Sequence, residues 1–115
     1  MKDDRVLLRH ILDEINFLIS ETEGMEFERF MNNEVIKRAC SRSLEIIGEA
    51  AKNISPDFKE LNKDIEWKKL AGMRDKIVHH YFGVNWEIMW DVIKNKIPEL
   101  KTRIEYMLNG LEEGK

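Results

Sequence analysis

Cysteine is nearly missing from this 115-residue chain: Cys40 stands alone, so no internal disulfide can form and no cysteine cluster exists to bind zinc. Proline and glycine are scarce, at two and six residues, which leaves few interruptions to regular structure. No stretch approaches the roughly 18 consecutive apolar residues of a membrane span, and the first residues, MKDDRVLLRHILDE, carry acids where a secretion signal needs an apolar core. The expectation is a soluble, cytoplasmic protein with no membrane partner. A net basic charge is also lacking. The formal net charge of -3 argues against broad, nonspecific binding of nucleic acid, whose phosphates call for a basic surface. A local cluster such as Lys68, Lys69, Arg74 and Lys76 can still create a positive site on an acidic protein, although such a cluster is also what a solvated helix face looks like.

What is present is helical. Hydrophobic residues make up 43% and charged residues 36%, with Leu, Ile, Lys and Glu abundant, and the length suits one domain over 1–115. Residues 3–20 place Leu8, Ile11, Leu12, Ile15, Leu18 and Ile19 at spacings of three and four, the period of an amphipathic helix. Glu23-Gly24 interrupts it, Phe27, Phe30 and Met31 form a short apolar turn, and Asn32 or Asn33 caps a second helix over about 33–54. That helix ends at Ser55-Pro56 and carries Gly48, Ala50 and Ala51, small residues that let a neighbouring helix approach closely. Cys40, within it, is expected to be buried and inert.

Residues 56–65 read as a turn and a short helical segment with Phe58 and Leu61 as apolar anchors. A further helix, WKKLAGMRDKIVHHYF, is expected to run to near Gly83. Asn85 then caps a last helix reaching about 109, with Ile88, Val92, Ile93, Ile97, Leu100, Ile104, Met107 and Leu108 buried. Pro98 lies inside it and predicts a kink or a division near 94–98, because it removes a donor and crowds the carbonyl of Lys94. The expected architecture is an all-α, up-and-down bundle of four to five helices.

The chemistry concentrates in Arg74-Asp75-Lys76-Ile77-Val78-His79-His80-Tyr81, which combines a fixed cation, a group that titrates near neutrality and a phenol. If the segment is helical, at about 100° per residue, Ala71, Val78, Asp75 and His79 lie between about 40° and about 140° from Arg74. Leu70, Met73 and Ile77 gather between about 260° and about 320° and face the core, with His80 at their border. His79 is then the better catalytic candidate of the two histidines. Arg74 and His79 diverge by about 140° on such a helix, so a composite site across a symmetric dimer would bring both to one substrate. Asp75, one helical turn before His79, could fix the imidazole tautomer. The plainer alternative is that these are surface or structural residues. A metal site built from His10, His79 and His80 is disfavoured, since adjacent histidines point apart on a helix and no carboxylate-histidine motif accompanies them.

The pattern of Arg74, four residues, His79, one residue and Tyr81, in GMRDKIVHHYFGV, resembles the signature of HepT-like proteins of the HEPN superfamily. The resemblance extends to LEIIGEAAKNIS at 44–55, WKKLAGMRD at 67–75 and WEIMWDVIKNKIPELK at 86–101. It implies a homodimeric helical bundle in which Arg74 and His79 of both subunits meet in a cleft that cuts RNA, messenger or transfer, with no metal and no cofactor. His79 would move protons at the ribose 2′-hydroxyl or the leaving oxygen, Arg74 would bind the phosphate, and Asp75 would orient His79. The resemblance also implies a toxin and antitoxin pair. Its partner would be an MntA-like nucleotidyltransferase that adds AMP to Tyr81 and so blocks the cleft. A noncatalytic HEPN subunit, binding nucleotide or partner for a nucleotidyltransferase, is the alternative that shares the fold.

Overall fold

The structure is a computed structural model that describes residues 3–73, 75, 78–79 and 83–113. Three long helical stretches carry the core. Helix α1 spans Asp4–Thr22 and begins at Asp3, whose side chain accepts a hydrogen bond from the Arg5 N–H at 2.8 Å. Gly24, at φ +70°, turns the chain into the short α2, Phe27–Met31. Helix α3, Glu34–Lys52, is capped by Asn33, which accepts from Ile36 N–H at 3.0 Å; Asn32 instead closes α2. Helix α1 packs against both α3 and the last helix.

The buried residues form one cluster, in which Leu8, Ile11, Ile15 and Leu18 of α1 are fully buried. Burying one such side chain contributes about 1.5–3 kcal/mol, so this stripe is what holds α1 between its neighbours. Cys40 is buried as expected, and burial, with the charge of Glu21 adding to it, pushes the thiol pKa up to about 11.

Ser55 links the two ends of the fold's first half. Its hydroxyl caps α4, Pro56–Leu61, accepting from Phe58 N–H at 3.2 Å, while its own N–H and O–H donate to the Asp4 carboxylate at 2.9 and 2.7 Å. Phe58 stacks edge-on against the buried Trp67, as an anchor should. Leu61 does not anchor anything: it is 82% exposed, because the short helix turns it outward at its last residue.

The last helical run is continuous in sequence but not uniform. Helix α6, Trp86–Asp91, is capped by Asn85, which accepts from Ile88 N–H at 3.0 Å. A π-helical turn follows over Val92–Lys96, in which the Ile97 N–H reaches back five residues to the Val92 carbonyl, and α7 occupies Ile97–Glu113. The expected division at Pro98 therefore takes the form of a widened turn. It places Pro98 in the first turn of α7, where a missing donor costs least. Ile93, Ile97, Ile104, Met107 and Leu108 are buried as expected, whereas Ile88, Val92 and Leu100 are half-buried and Met89 takes a core place that periodicity had not assigned to it. Among the described residues no helix is long and apolar enough to cross a membrane.

Candidate functional site

The approach to the motif is set by α5, Trp67–Ala71. Trp67 buries its ring and donates Nε1–H to the Asn62 carbonyl at 3.0 Å, fixing where α5 starts. Gly48 of α3 fixes how closely it lies. A Cβ at that position would stand 3.3 Å from the Ala71 carbonyl oxygen and 3.4 Å from that of Leu70, so the small residue is what admits the α5 backbone. The close approach expected of this stretch is realised at Gly48.

The long helix expected from Trp67 to near Gly83 is not what forms. Helix α5 ends after one turn, where the Gly72 N–H donates to the Lys68 carbonyl at 3.0 Å. Further on, strand β1, Val78–His79, pairs antiparallel with strand β2, Gly83–Val84, with His79 opposite Gly83. Val78 is β-branched and favours extended backbone, and Gly83, at φ +81°, supplies a conformation that other residues rarely adopt. Met73 and Asp75 are helical, but Val78 and His79 lie in extended backbone, so the helical sorting of Val78 and His79 does not apply to the folded chain, nor does the one-turn relation of Asp75 to His79. The protein remains all-α in class, with this two-residue pairing as a local hairpin.

Among the candidate residues, the backbone of His79 lies in β1. Asp75 is exposed, and its N–H donates to the Gly72 carbonyl at 3.1 Å. Arg74 and Tyr81 lie outside the described residues, as do Lys76 and His80. Met73 joins the buried core and anchors the segment just before Arg74. His10 lines a groove between α1, α3 and α4 with Arg42, Glu45, Glu49 and Lys52, and none of the described residues of 72–84 lines that groove.

Beside the hairpin lies an arrangement that sequence reading missed. Trp86 and Trp90 of α6 pack with Phe27 and Phe30 of α2, the Phe30 and Trp90 rings 4.8 Å apart. Two lysines lie against these rings: Lys37 Nζ is 4.8 Å from the Trp86 centroid and Lys94 Nζ is 5.2 Å from that of Trp90. Lys37 is buried, with its ammonium donating to the Met31 carbonyl at 3.2 Å and to Glu34 at 3.0 Å. That bond, more than the charge itself, holds the Glu34 carboxyl below its ordinary pKa. Lys94 donates to the Thr22 carbonyl at 3.0 Å, closing the C-terminal end of α1. For Lys94 the signal was a lysine one turn after Trp90, whereas Lys37 meets Trp86 from a distant part of the chain, and nothing local to α3 or the π turn distinguishes either from a solvent-facing lysine.

Residues 11–107 match the model of a family described as ribonuclease HepT-like. A candidate RNase of Caldanaerobacter subterraneus subsp. tengcongensis is 49% identical over 108 residues, covering 94% of this chain and 96% of the relative. A candidate RNase of Methanocaldococcus jannaschii is 44% identical, covering 97% of each chain. A probable ribonuclease HepT of Thermococcus cleftensis is 43% identical, covering 85% of this chain and 89% of the relative. No solved structure matches the chain. The fold and these likenesses define a ribonuclease of the all-α HEPN class. Within it, the chain belongs to the HepT-like family.

Proposed function

We propose that this protein is a metal-independent endoribonuclease whose active site is completed by a homodimer, and that it serves as the toxin of a toxin and antitoxin pair. The observation that carries this reading is the Arg74, His79, Tyr81 pattern, which lies whole within the matched residues 11–107. In the reaction, His79 takes the proton of a ribose 2′-hydroxyl as the 2′ oxygen attacks phosphorus. The bond from phosphorus to the 5′ oxygen breaks, and that oxygen is protonated as it leaves. Arg74 offsets the charge that builds on the phosphoryl oxygens. The products are a 2′,3′-cyclic phosphate and a 5′-hydroxyl. Because the nucleophile comes from the RNA, no cofactor takes part. On the family pattern, and not through a shared helical turn, Asp75 orients His79. Tyr81 accepts AMP from an MntA-like nucleotidyltransferase antitoxin, which fills the cleft with negative charge.

The test follows end-labelled transfer RNA and a single-stranded RNA in EDTA with wild type, His79→Ala and Arg74→Ala, each checked for folding by thermal unfolding. Wild-type cleavage that falls about 100-fold or more in both variants supports the reading, that being the range for loss of a general acid or base. Cleavage that persists equally in the variants defeats it. The acidic net charge of -3 favours a second reading, a noncatalytic subunit that binds nucleotide or a nucleotidyltransferase partner. Absence of any wild-type cleavage would make that reading the better one.

A further inference from the structure

Charge is unevenly distributed in this acidic protein. Residues 67–77 carry Lys68, Lys69, Arg74 and Lys76 against Asp75 alone, and residues 92–103 carry Lys94, Lys96, Lys101 and Arg103 against Glu99 alone. These two stretches hold eight of the 19 basic residues and only two of the 22 acidic ones, so the rest of the chain is strongly acidic. The fold brings the two stretches together. Arg103 of α7 forms an ion pair with Asp64, just ahead of α5. Glu66, the residue that precedes α5, pairs with Lys69 at 2.9 Å. Its carboxyl is held below the ordinary pKa first by the hydrogen bond from Lys69, then by the charge of Lys69, and also by the charge of Lys96 on the π turn.

Lys69 thus pairs with Glu66, and the charge of Lys96, about two turns before Arg103 on the same helical run, acts on that carboxylate as well, so positive charge exceeds negative at this spot. Lys68, Lys69 and Lys96 are all exposed. Other cations are already committed: Lys37 is buried, Lys94 caps α1, and Lys63 is held by Glu60 at 2.7 Å. Lys68 and Lys69 lie on α5, which leads through Gly72 into the motif segment, and Lys96 lies on the π turn, its charge reaching Glu66 at the start of α5. A flexible lysine on an exposed surface suits a phosphate diester, a diffuse anion that demands no fixed angle.

We propose that Lys68, Lys69 and Lys96 form a phosphate-contacting surface that guides single-stranded RNA toward the motif segment, an inference that rests on the ribonuclease reading above. These are positioning residues. They act on RNA binding and not on bond cleavage, so they set KM and leave kcat nearly alone.

The test uses the full chain. A triple charge reversal, Lys68→Glu with Lys69→Glu and Lys96→Glu, is compared with a triple change to Gln, a triple change to Arg, and Arg38→Glu on α3 as a charge control. Cleavage of a single-stranded RNA gives kcat and KM. Binding of the same RNA to His79→Ala, with and without the lysine changes, is followed across salt concentrations. The expected result is a KM raised about 10-fold or more by the reversal, less by Gln and hardly by Arg, with kcat within about twofold. The salt slope of binding should fall by about two, since each single-strand phosphate that a lysine ceases to neutralise removes about 0.7 from it. Arg38→Glu should change neither.

An unchanged KM and slope in the triple reversal, with cleavage still dependent on His79, overturns the proposal and leaves the ribonuclease standing. Lysine-dependent, salt-sensitive RNA binding without cleavage by wild type would keep the surface and remove the catalytic reading. No RNA binding by wild type overturns both. A reversal that lowers the thermal midpoint is set aside in favour of the Gln and Arg pair, whose difference in KM decides the question by charge alone.

Discussion

Two regions of this molecule are built by different rules. The frame of α1, α3 and α7 is held by apolar packing, so that Leu8, Ile11, Ile15, Leu18, Ile47 and Ile104 are all essentially removed from water. The segment from Gly72 to Val84 has little of this. Among its described side chains only Met73 is buried, and the backbone there is organised by a one-turn helix end, a two-residue strand pairing and a glycine at positive φ. Apolar packing is non-directional and fixes where helices lie. The described backbone of the motif segment depends instead on a few directional bonds, and Asp75 there is exposed.

The largest expected contrast is in stability. Ile15→Ala should destabilise the protein by about 2–5 kcal/mol, the usual cost of emptying a buried aliphatic site, whereas His79→Ala should stay within about 0.5 kcal/mol while losing activity. Urea unfolding of both measures this, and comparable losses would show that the motif segment belongs to the core after all. Next in size is the contact that joins the regions. Gly48→Val places new atoms against the carbonyl oxygens of Leu70 and Ala71, so α5 must shift, at about 1–3 kcal/mol, and the motif that follows must shift with it. RNA cleavage should then fall further than the folded fraction accounts for; a fall that only tracks unfolding would uncouple α5 from the site.

The smallest effect is a pH dependence confined to the frame. The Cys40 thiol, ordinarily titrating near 9.0, is raised to about 11 by burial. The folded state therefore keeps its proton where the unfolded chain loses it. The associated stability is complete below pH 9 and is lost as the pH rises toward about 11. Stability of wild type should fall more steeply over that window than that of Cys40→Ala, and the two curves should run parallel between pH 6 and 8. Parallel curves throughout would mean that the thiol is open to water.

Much of the frame was legible in the residues. The spacing of Leu8, Ile11, Ile15 and Leu18 marked α1, Asn33 and Asn85 marked two helix starts, and Pro98 marked the irregularity in the last helical run. These features are local: a helix period, a capping side chain or a missing N–H acts within a few residues of itself. The failures were of another kind. Leu61 was expected to anchor and is exposed, Met89 is buried without having been expected, and the helix through His79 is replaced by extended backbone. Each depends on what lies across from the residue in space.

By itself, then, the sequence determined the class of the fold, the boundaries of its long helices and the presence of the Arg74, His79, Tyr81 pattern, because periodicity, caps and residue chemistry are properties of neighbouring positions. The tertiary structure decided that α5 would stop at Gly72, that His79 would lie opposite Gly83 in a strand pair, and that Asp64, just ahead of α5, would pair with Arg103 of the last helical run. Those outcomes join residues that lie apart along the chain, and only tertiary packing, of α1 against α3 and the last helical run and of α5 against α3, brings them within range of one another.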